Sequence, residues 1–173
     1  MPFAPVHLLF INLLTDSLPA IAIGMEPAEK DLLAEKPRDP KEGILNKTFM
    51  RDILGQGCMI AIVTMTAFHM GFSQGGAGLA STMAFATLTA ARLFHGFNCR
   101  SKHSIFRIGF RKNWYSLGAF AAGMVLLNLV LFVPFLQRLF MVTPLAMGQW
   151  GMIFLLAIVP TVILQLYKVI WEH

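Results

Sequence analysis

The sequence predicts an all-α membrane protein with about five transmembrane helices. The chain has 173 residues, of which 56% are hydrophobic and only 13% are charged, whereas about a quarter of the residues of a soluble domain are charged. Apolar runs of about 20 residues recur along it, and each is long enough to cross ~30 Å of hydrocarbon. Because a bilayer offers no partners to backbone N–H and C=O groups, these runs are predicted to be helices.

The predicted spans follow one another without an internal repeat. They cover residues 5–25, 53–72, 79–98, 114–135 and 149–170. The first begins almost at residue 1, and no basic segment with a small-residue cleavage site precedes it, so we predict no signal peptide. We treat residues 1–173 as one transmembrane domain and expect it to be part of a longer chain.

Charged residues are concentrated in two of the connections. The connection 26–52 holds both signs of charge, and the connection 99–113 is basic without any acid. Basic segments stay in the cytoplasm, so we predict that both connections and Lys168 lie inside and that the N-terminus lies outside. The net charge of +5 comes from basic residues at the ends of the spans, beside the lipid bilayer. We therefore predict no nucleic-acid partner.

A polar cluster lies inside the first span. Asn12, Thr15 and Asp16 stand at positions i, i+3 and i+4, which share one face of a helix. Pro19 has no N–H, so the carbonyl of Thr15 loses its helical partner. Such oxygens suit a hard cation, and an ionisable residue in a span indicates a functional site. The alternative is a polar seam between helices with Pro19 as a simple kink.

Asp16 and Arg92 are the two charged residues deep in predicted spans. At 1.5 Å per residue, Asp16 lies about 16 Å from Pro5 and Arg92 about 20 Å from Leu79. The two residues are therefore expected at similar depth, where a pair would neutralise both charges and limit the number of cations held. The alternative is that Arg92 extends to the nearer membrane edge.

The sequence contains no residues for which we predict a catalytic role. It has no phosphate-binding glycine loop before a helix, no nucleophile elbow and no His-Glu-x-x-His motif. Calcium takes six to eight oxygen ligands, more than the first span supplies. We therefore expect further ligands from helices outside this chain.

Two motifs resemble a known family over essentially the whole chain. The stretch Asn12-Leu13-Leu14-Thr15-Asp16 in the first span, followed by Pro37-Arg38-Asp39-Pro40-Lys41-Glu42, is similar to the P-type calcium-transporting ATPases of the sarcoplasmic-reticulum type. The match begins at the sixth of the ten membrane helices of that family. The short loops favour a bacterial pump in the plasma membrane.

The resemblance implies roles for the polar residues of the first span. Asn12, Thr15 and Asp16 would be calcium ligands on a partly unwound helix, with Asp16 shared between the two sites of the family. Asn12 favours calcium, because sodium and potassium pumps tend to have an acid there. The connection 26–52 would contact the phosphorylation domain. ATP and magnesium would act in domains outside this chain, which is expected to be inactive alone.

One residue departs from the family pattern. Alignment on Asn98 places Arg92 where two-calcium pumps have a glutamate on the eighth helix. A guanidinium there would replace one calcium, so we expect one ion per cycle, with Thr15 no longer in direct contact. Two alternatives remain: a pump for another cation such as manganese or sodium, and a stand-alone membrane module that relays ions or protons through Asp16 and Arg92.

Overall fold

The prediction of an all-α membrane protein is confirmed. The structure is a computed structural model that describes residues 3–26, 46–101, 104–105 and 113–171. No strand occurs in these ranges. Four helical stretches are long and apolar enough to cross a membrane, and one of them has 50 residues, which is enough for two crossings at about 20 residues each.

The first span consists of three helical pieces. Helix α1 covers Pro5–Phe10, a π-helix (π1) covers Ile11–Asp16, and helix α2 covers Ser17–Gly24. Pro5 occupies the first turn of α1, where its missing N–H costs no hydrogen bond. The first span therefore changes from α-helical to π-helical winding over the segment that holds Asn12, Thr15 and Asp16.

The 52-residue helical run Lys47–Asn98 is a hairpin of two helices. Its backbone is non-helical at Gly75 and at Gly76, where φ is +76°, a conformation that glycine adopts at little cost. We label residues 47–74 α3 and residues 77–98 α4. The two helices touch closely, because a Cβ on Gly71 would lie 2.7 Å from the Cα of Ala80. The predicted spans 53–72 and 79–98 fall within α3 and α4.

Two further boundaries differ from the predicted spans for local reasons. Helix α3 begins at Lys47, earlier than the predicted span, because Asn46 Oδ1 accepts a hydrogen bond from the Phe49 N–H at 2.7 Å. Helix α5 covers Trp114–Phe132 and ends before residue 135. The residue that follows, Val133, is extended (φ −82°, ψ 117°), as expected for a residue before a proline.

Two helices complete the bundle. The short helix α6 covers Pro134–Leu139, and α7 covers Met147–Trp171 with Pro160 in its interior.

Helix α4 lies at the centre of the described part of the bundle. Its fully buried side chains include Met83, Phe85, Ala90 and Ala91, on more than one face, as expected for a helix surrounded by others. The hairpin packs mainly against α7 and also against α5. This central position holds Arg92 beside the first span.

Candidate cation site

The π-helical turn carries the predicted ligands of the first span. In π1 the backbone hydrogen bonds join residues five apart instead of four, and such turns occur frequently at functional sites. The resemblance implies a partly unwound helix, and the structure shows a helix that stays wound but is wider. Pro19 lies three residues after Asp16 and has no N–H, so it cannot close the preceding turn.

Asn12 and Asp16 both belong to π1. A π-helical turn holds more residues than an α-helical turn. Residues four apart, such as Asn12 and Asp16, therefore lie more nearly one above the other in π1 than they would in an α-helix. The Asn12 side chain is exposed, and the Asn12 carbonyl oxygen accepts a hydrogen bond from the Ser17 hydroxyl at 3.3 Å. The backbone of Thr15 also lies in π1, whereas its side chain lies outside the described part of the structure.

Asp16 and Arg92 form an ion pair, as the depth argument predicts. Asp16 Oδ2 and Arg92 Nη2 are 2.5 Å apart, and the two side chains are 27% and 40% exposed. Arg92 thus contacts the carboxylate instead of extending only toward the membrane edge. Each charge neutralises the other at a depth where an isolated charge is expensive. Both side chains also remain partly accessible from the open side of π1.

Small residues bring α2 close to α4 below the ion pair. A Cβ on Gly96 would lie 3.6 Å from the Cβ of Pro19. Pro19 follows Asp16 by three residues and Gly96 follows Arg92 by four, so the two contacts lie about one turn apart on parallel helices. The Pro19–Gly96 contact therefore helps to set the depth at which Asp16 meets Arg92.

His7 fixes the other end of the first span. Its side chain is fully buried, Nε2 donates to the Phe140 carbonyl at 2.7 Å, and Nδ1 accepts from the Ala4 N–H at 3.2 Å. The ring also stacks on Phe85 with centroids 4.5 Å apart. No local sequence pattern predicts this role of His7, because Phe140 is distant in the chain and contributes only a backbone carbonyl.

The oxygen ligands of the described residues are too few for a complete calcium site. In the ranges that the structure describes, no group of three His, Cys, Asp or Glu side chains could hold a metal ion. The described donors at π1 are the Asp16 carboxylate, the Asn12 amide and backbone carbonyls, against six to eight oxygens for calcium. The described residues therefore supply only part of the oxygen ligands that a calcium site needs.

Comparisons with known proteins identify the family of the chain. Residues 1–170 match the family described as "Cation transporting ATPase, C-terminus". The chain is 36% identical to a calcium-transporting ATPase of Bacillus subtilis over 95% of its length and 37% identical to one of Listeria monocytogenes over 98%. A relative from Lactococcus lactis is 38% identical over 96% of the chain. The chain spans about a fifth of the length of these curated relatives. The chain therefore belongs to the C-terminal membrane region of the cation-transporting P-type ATPases.

Proposed function

We propose that this chain is the cation-binding membrane portion of an ATP-driven calcium efflux pump. The observation that supports the proposal most directly is the position of Asn12 and Asp16 on π1, with Asp16 paired to Arg92. Family membership and relatives described as calcium-transporting ATPases support calcium as the transported ion. Of the three predicted ligands Asn12, Thr15 and Asp16, we propose that Asn12 and Asp16 contact the ion directly, and that further oxygens come from parts of the pump outside this chain.

Arg92 would limit the pump to one calcium ion per cycle. Its guanidinium lies against the carboxylate that the two-site members of the family share, so a second divalent cation there would meet a fixed positive charge. In our proposal the site of Asn12 and Asp16 binds the ion and Thr15 does not contact it directly. When no calcium is bound, the positive charge of Arg92 would take the place of part of the charge that the ion brings to the site.

The remaining activity is assigned to other parts of the pump. We propose that ATP and magnesium act in cytoplasmic domains outside this chain, that the connection 26–52 contacts those domains, and that a bacterial plasma membrane surrounds the helices. Residues 27–45 of this connection lie outside the described residues. The domains and helices of the same pump are thus the proposed partners, together with the bilayer.

The test is calcium-dependent ATP hydrolysis by the product of the complete reading frame that contains this chain. We expect Asp16→Asn to abolish hydrolysis at micromolar calcium or to raise the half-maximal calcium concentration by more than about a hundredfold, because even outer partners of metal ligands contribute about 10–100-fold. Arg138→Gln is the control, because it removes an exposed charge in α6 that lies outside the site and outside the connection 26–52.

The possible outcomes test the role of Asp16 and the identity of the transported cation separately. If both variants depend on calcium as the wild type does, Asp16 is not a ligand. If the wild type hydrolyses ATP without calcium but responds to manganese or sodium, the pump transports that cation instead. If hydrolysis responds to no added cation, the pump assignment is wrong and a relay through Asp16 and Arg92 becomes the explanation.

A further inference from the structure

A buried ion pair joins the end of the first span to two other segments. The Glu26 carboxylate accepts two hydrogen bonds from Arg100, from Nη2 at 2.8 Å and from Nε at 2.9 Å. The Arg100 side chain is only 1% exposed, and that of Glu26 is 14% exposed. Two parallel hydrogen bonds between a guanidinium and a carboxylate fix the relative orientation of both groups. The end of α2 is thereby tied to the segment that follows α4.

Asn113 extends this contact to a third segment. Its Nδ2 donates to Glu26 Oε2 at 2.7 Å and to the Ala22 carbonyl at 2.9 Å. Its Oδ1 accepts from the Ser116 N–H at 3.0 Å and so caps α5. One amide therefore links the last turn of α2, the Glu26 carboxylate and the start of α5. We call Glu26, Arg100 and Asn113 the Glu26 anchor.

The Glu26 anchor lies close to the cation site along the chain. Only α2, Ser17–Gly24, separates it from π1, and eight residues of α-helix span about 12 Å. Because α2 is a regular helix, a shift at its Glu26 end would move Asp16 by a similar amount. Asp16 is the last residue of π1, so the rest of the wide turn lies on the side of Asp16 that faces away from the anchor.

We infer that Glu26, Arg100 and Asn113 are positioning residues that set the calcium affinity of the Asn12 and Asp16 site by holding α2 at a fixed depth beside α4. The inference rests on the proposed function. The Pro19–Gly96 contact is made in the same α2–α4 interface, so the anchor and this contact together hold Asp16 level with Arg92. The anchor touches neither Asp16 nor Arg92, and its effect on the ion is indirect.

The test measures the calcium dependence of ATP hydrolysis by the complete pump with Glu26→Gln, Glu26→Gln/Arg100→Gln and the control Arg138→Gln. We expect Glu26→Gln to raise the half-maximal calcium concentration by about tenfold, the lower end of what outer partners of metal sites contribute. The rate at saturating calcium and the KM for ATP should change less than about twofold. Arg138→Gln removes an exposed charge in α6, outside both the Glu26 anchor and the connection 26–52, and should behave as the wild type.

The double variant distinguishes an effect on the position of α2 from an effect on the stability of the fold. Glu26→Gln leaves the buried Arg100 charge unpaired, which lowers stability, whereas removal of both charges restores much of it. We expect the melting temperature to recover in Glu26→Gln/Arg100→Gln while the half-maximal calcium concentration stays raised, because two amides do not reproduce the two parallel charged hydrogen bonds. Recovery of both quantities together would show that the pair acts only on stability and would overturn the inference.

The remaining outcomes also decide the question. If Glu26→Gln does not fold, the double variant alone is compared with the wild type, and an unchanged calcium dependence contradicts the inference. If neither variant folds, the pair is required for the fold and does not tune affinity, which also contradicts it. A wild-type pump without calcium-dependent hydrolysis would instead overturn the proposed function.

Discussion

In our proposal, the charge of Arg92 distinguishes this site from one that holds two calcium ions. Its guanidinium lies beside Asp16, where we propose that it takes the place of a second cation. An arginine side chain stays protonated in proteins, so Arg92 supplies one positive charge in every state of the pump. A calcium ion, in contrast, brings two positive charges to the site and takes them away when it is released. The number of ions bound per pump is therefore the property that should respond to a change at this position.

We expect Arg92→Glu to raise the number of calcium ions bound to the complete pump from one toward two. The substitution removes the fixed charge and adds a carboxylate of the kind that two-calcium members have on the same helix. Equilibrium binding of radioactive calcium per phosphorylatable pump measures this number. Arg51→Glu, at an exposed arginine outside the site, controls for the added charge. An unchanged number of ions in Arg92→Glu would exclude the one-ion role of Arg92.

We propose that the π-helical turn, together with Pro19, makes backbone carbonyls available for an ion. An α-helix uses each interior carbonyl in its own ladder, so an ion can bind such an oxygen only where the ladder is interrupted. Pro19 interrupts it directly after π1, while Pro160 lies inside α7 without a π-helical turn. A proline in a helix is therefore not sufficient for this winding, and the polar residues of π1 mark the difference between the two helices.

We expect Pro19→Ala to raise the half-maximal calcium concentration for ATP hydrolysis by about fivefold. The new N–H would donate to the Thr15 carbonyl, and breaking that hydrogen bond costs about 1 kcal/mol, which corresponds to about fivefold in affinity. Pro160→Ala is the matched control, since it allows the same new hydrogen bond far from the ion. Equal calcium dependence in the two variants would mean that the freed carbonyl does not contribute to binding.

The distribution of charge along the chain predicts how the helix bundle is oriented in the membrane. The basic connection 99–113 and the mixed connection 26–52 emerge at the same end of the bundle, where Arg100 meets Glu26. Arg100 is neutralised there by its partner, so the other basic residues of this connection must supply the topological signal. The positive-inside rule then places this end in the cytoplasm and the α6–α7 connection on the other side.

Labelling of single cysteines tests this orientation. In a complete pump with its native cysteines replaced by serine, we expect Met147→Cys to react with a membrane-impermeant maleimide in intact cells. Met147 is 87% exposed at the start of α7. Lys41→Cys should react only after the membrane is permeabilised. The opposite pattern would reverse the predicted topology, and reaction of both variants in intact cells would contradict an alternation of five crossings.

The fold class follows from the sequence alone, and Asp16 and Arg92 are predicted from it as the main residues of the candidate site. Long apolar runs in a bilayer can only be helices, and Asp16 and Arg92 are conspicuous because charge in hydrocarbon is rare. The Asn46 cap that explains the early start of α3 is also a local signal, although the predicted span 53–72 did not use it. The fold class and the Asp16–Arg92 pair were predictable because they depend on composition and on depth along each helix.

The way in which distant segments meet could be read only from the three-dimensional structure. It showed that Ile11–Asp16 of the first span are wound as a π-helix, and that Glu26 contacts Arg100 and Asn113 across 74 and 87 positions of the chain. It also paired His7 with the Phe140 carbonyl. No local pattern encodes such contacts, because any charged or amide side chain at a span end can point to water or to a partner. Packing of the helices around α4 selects between those possibilities.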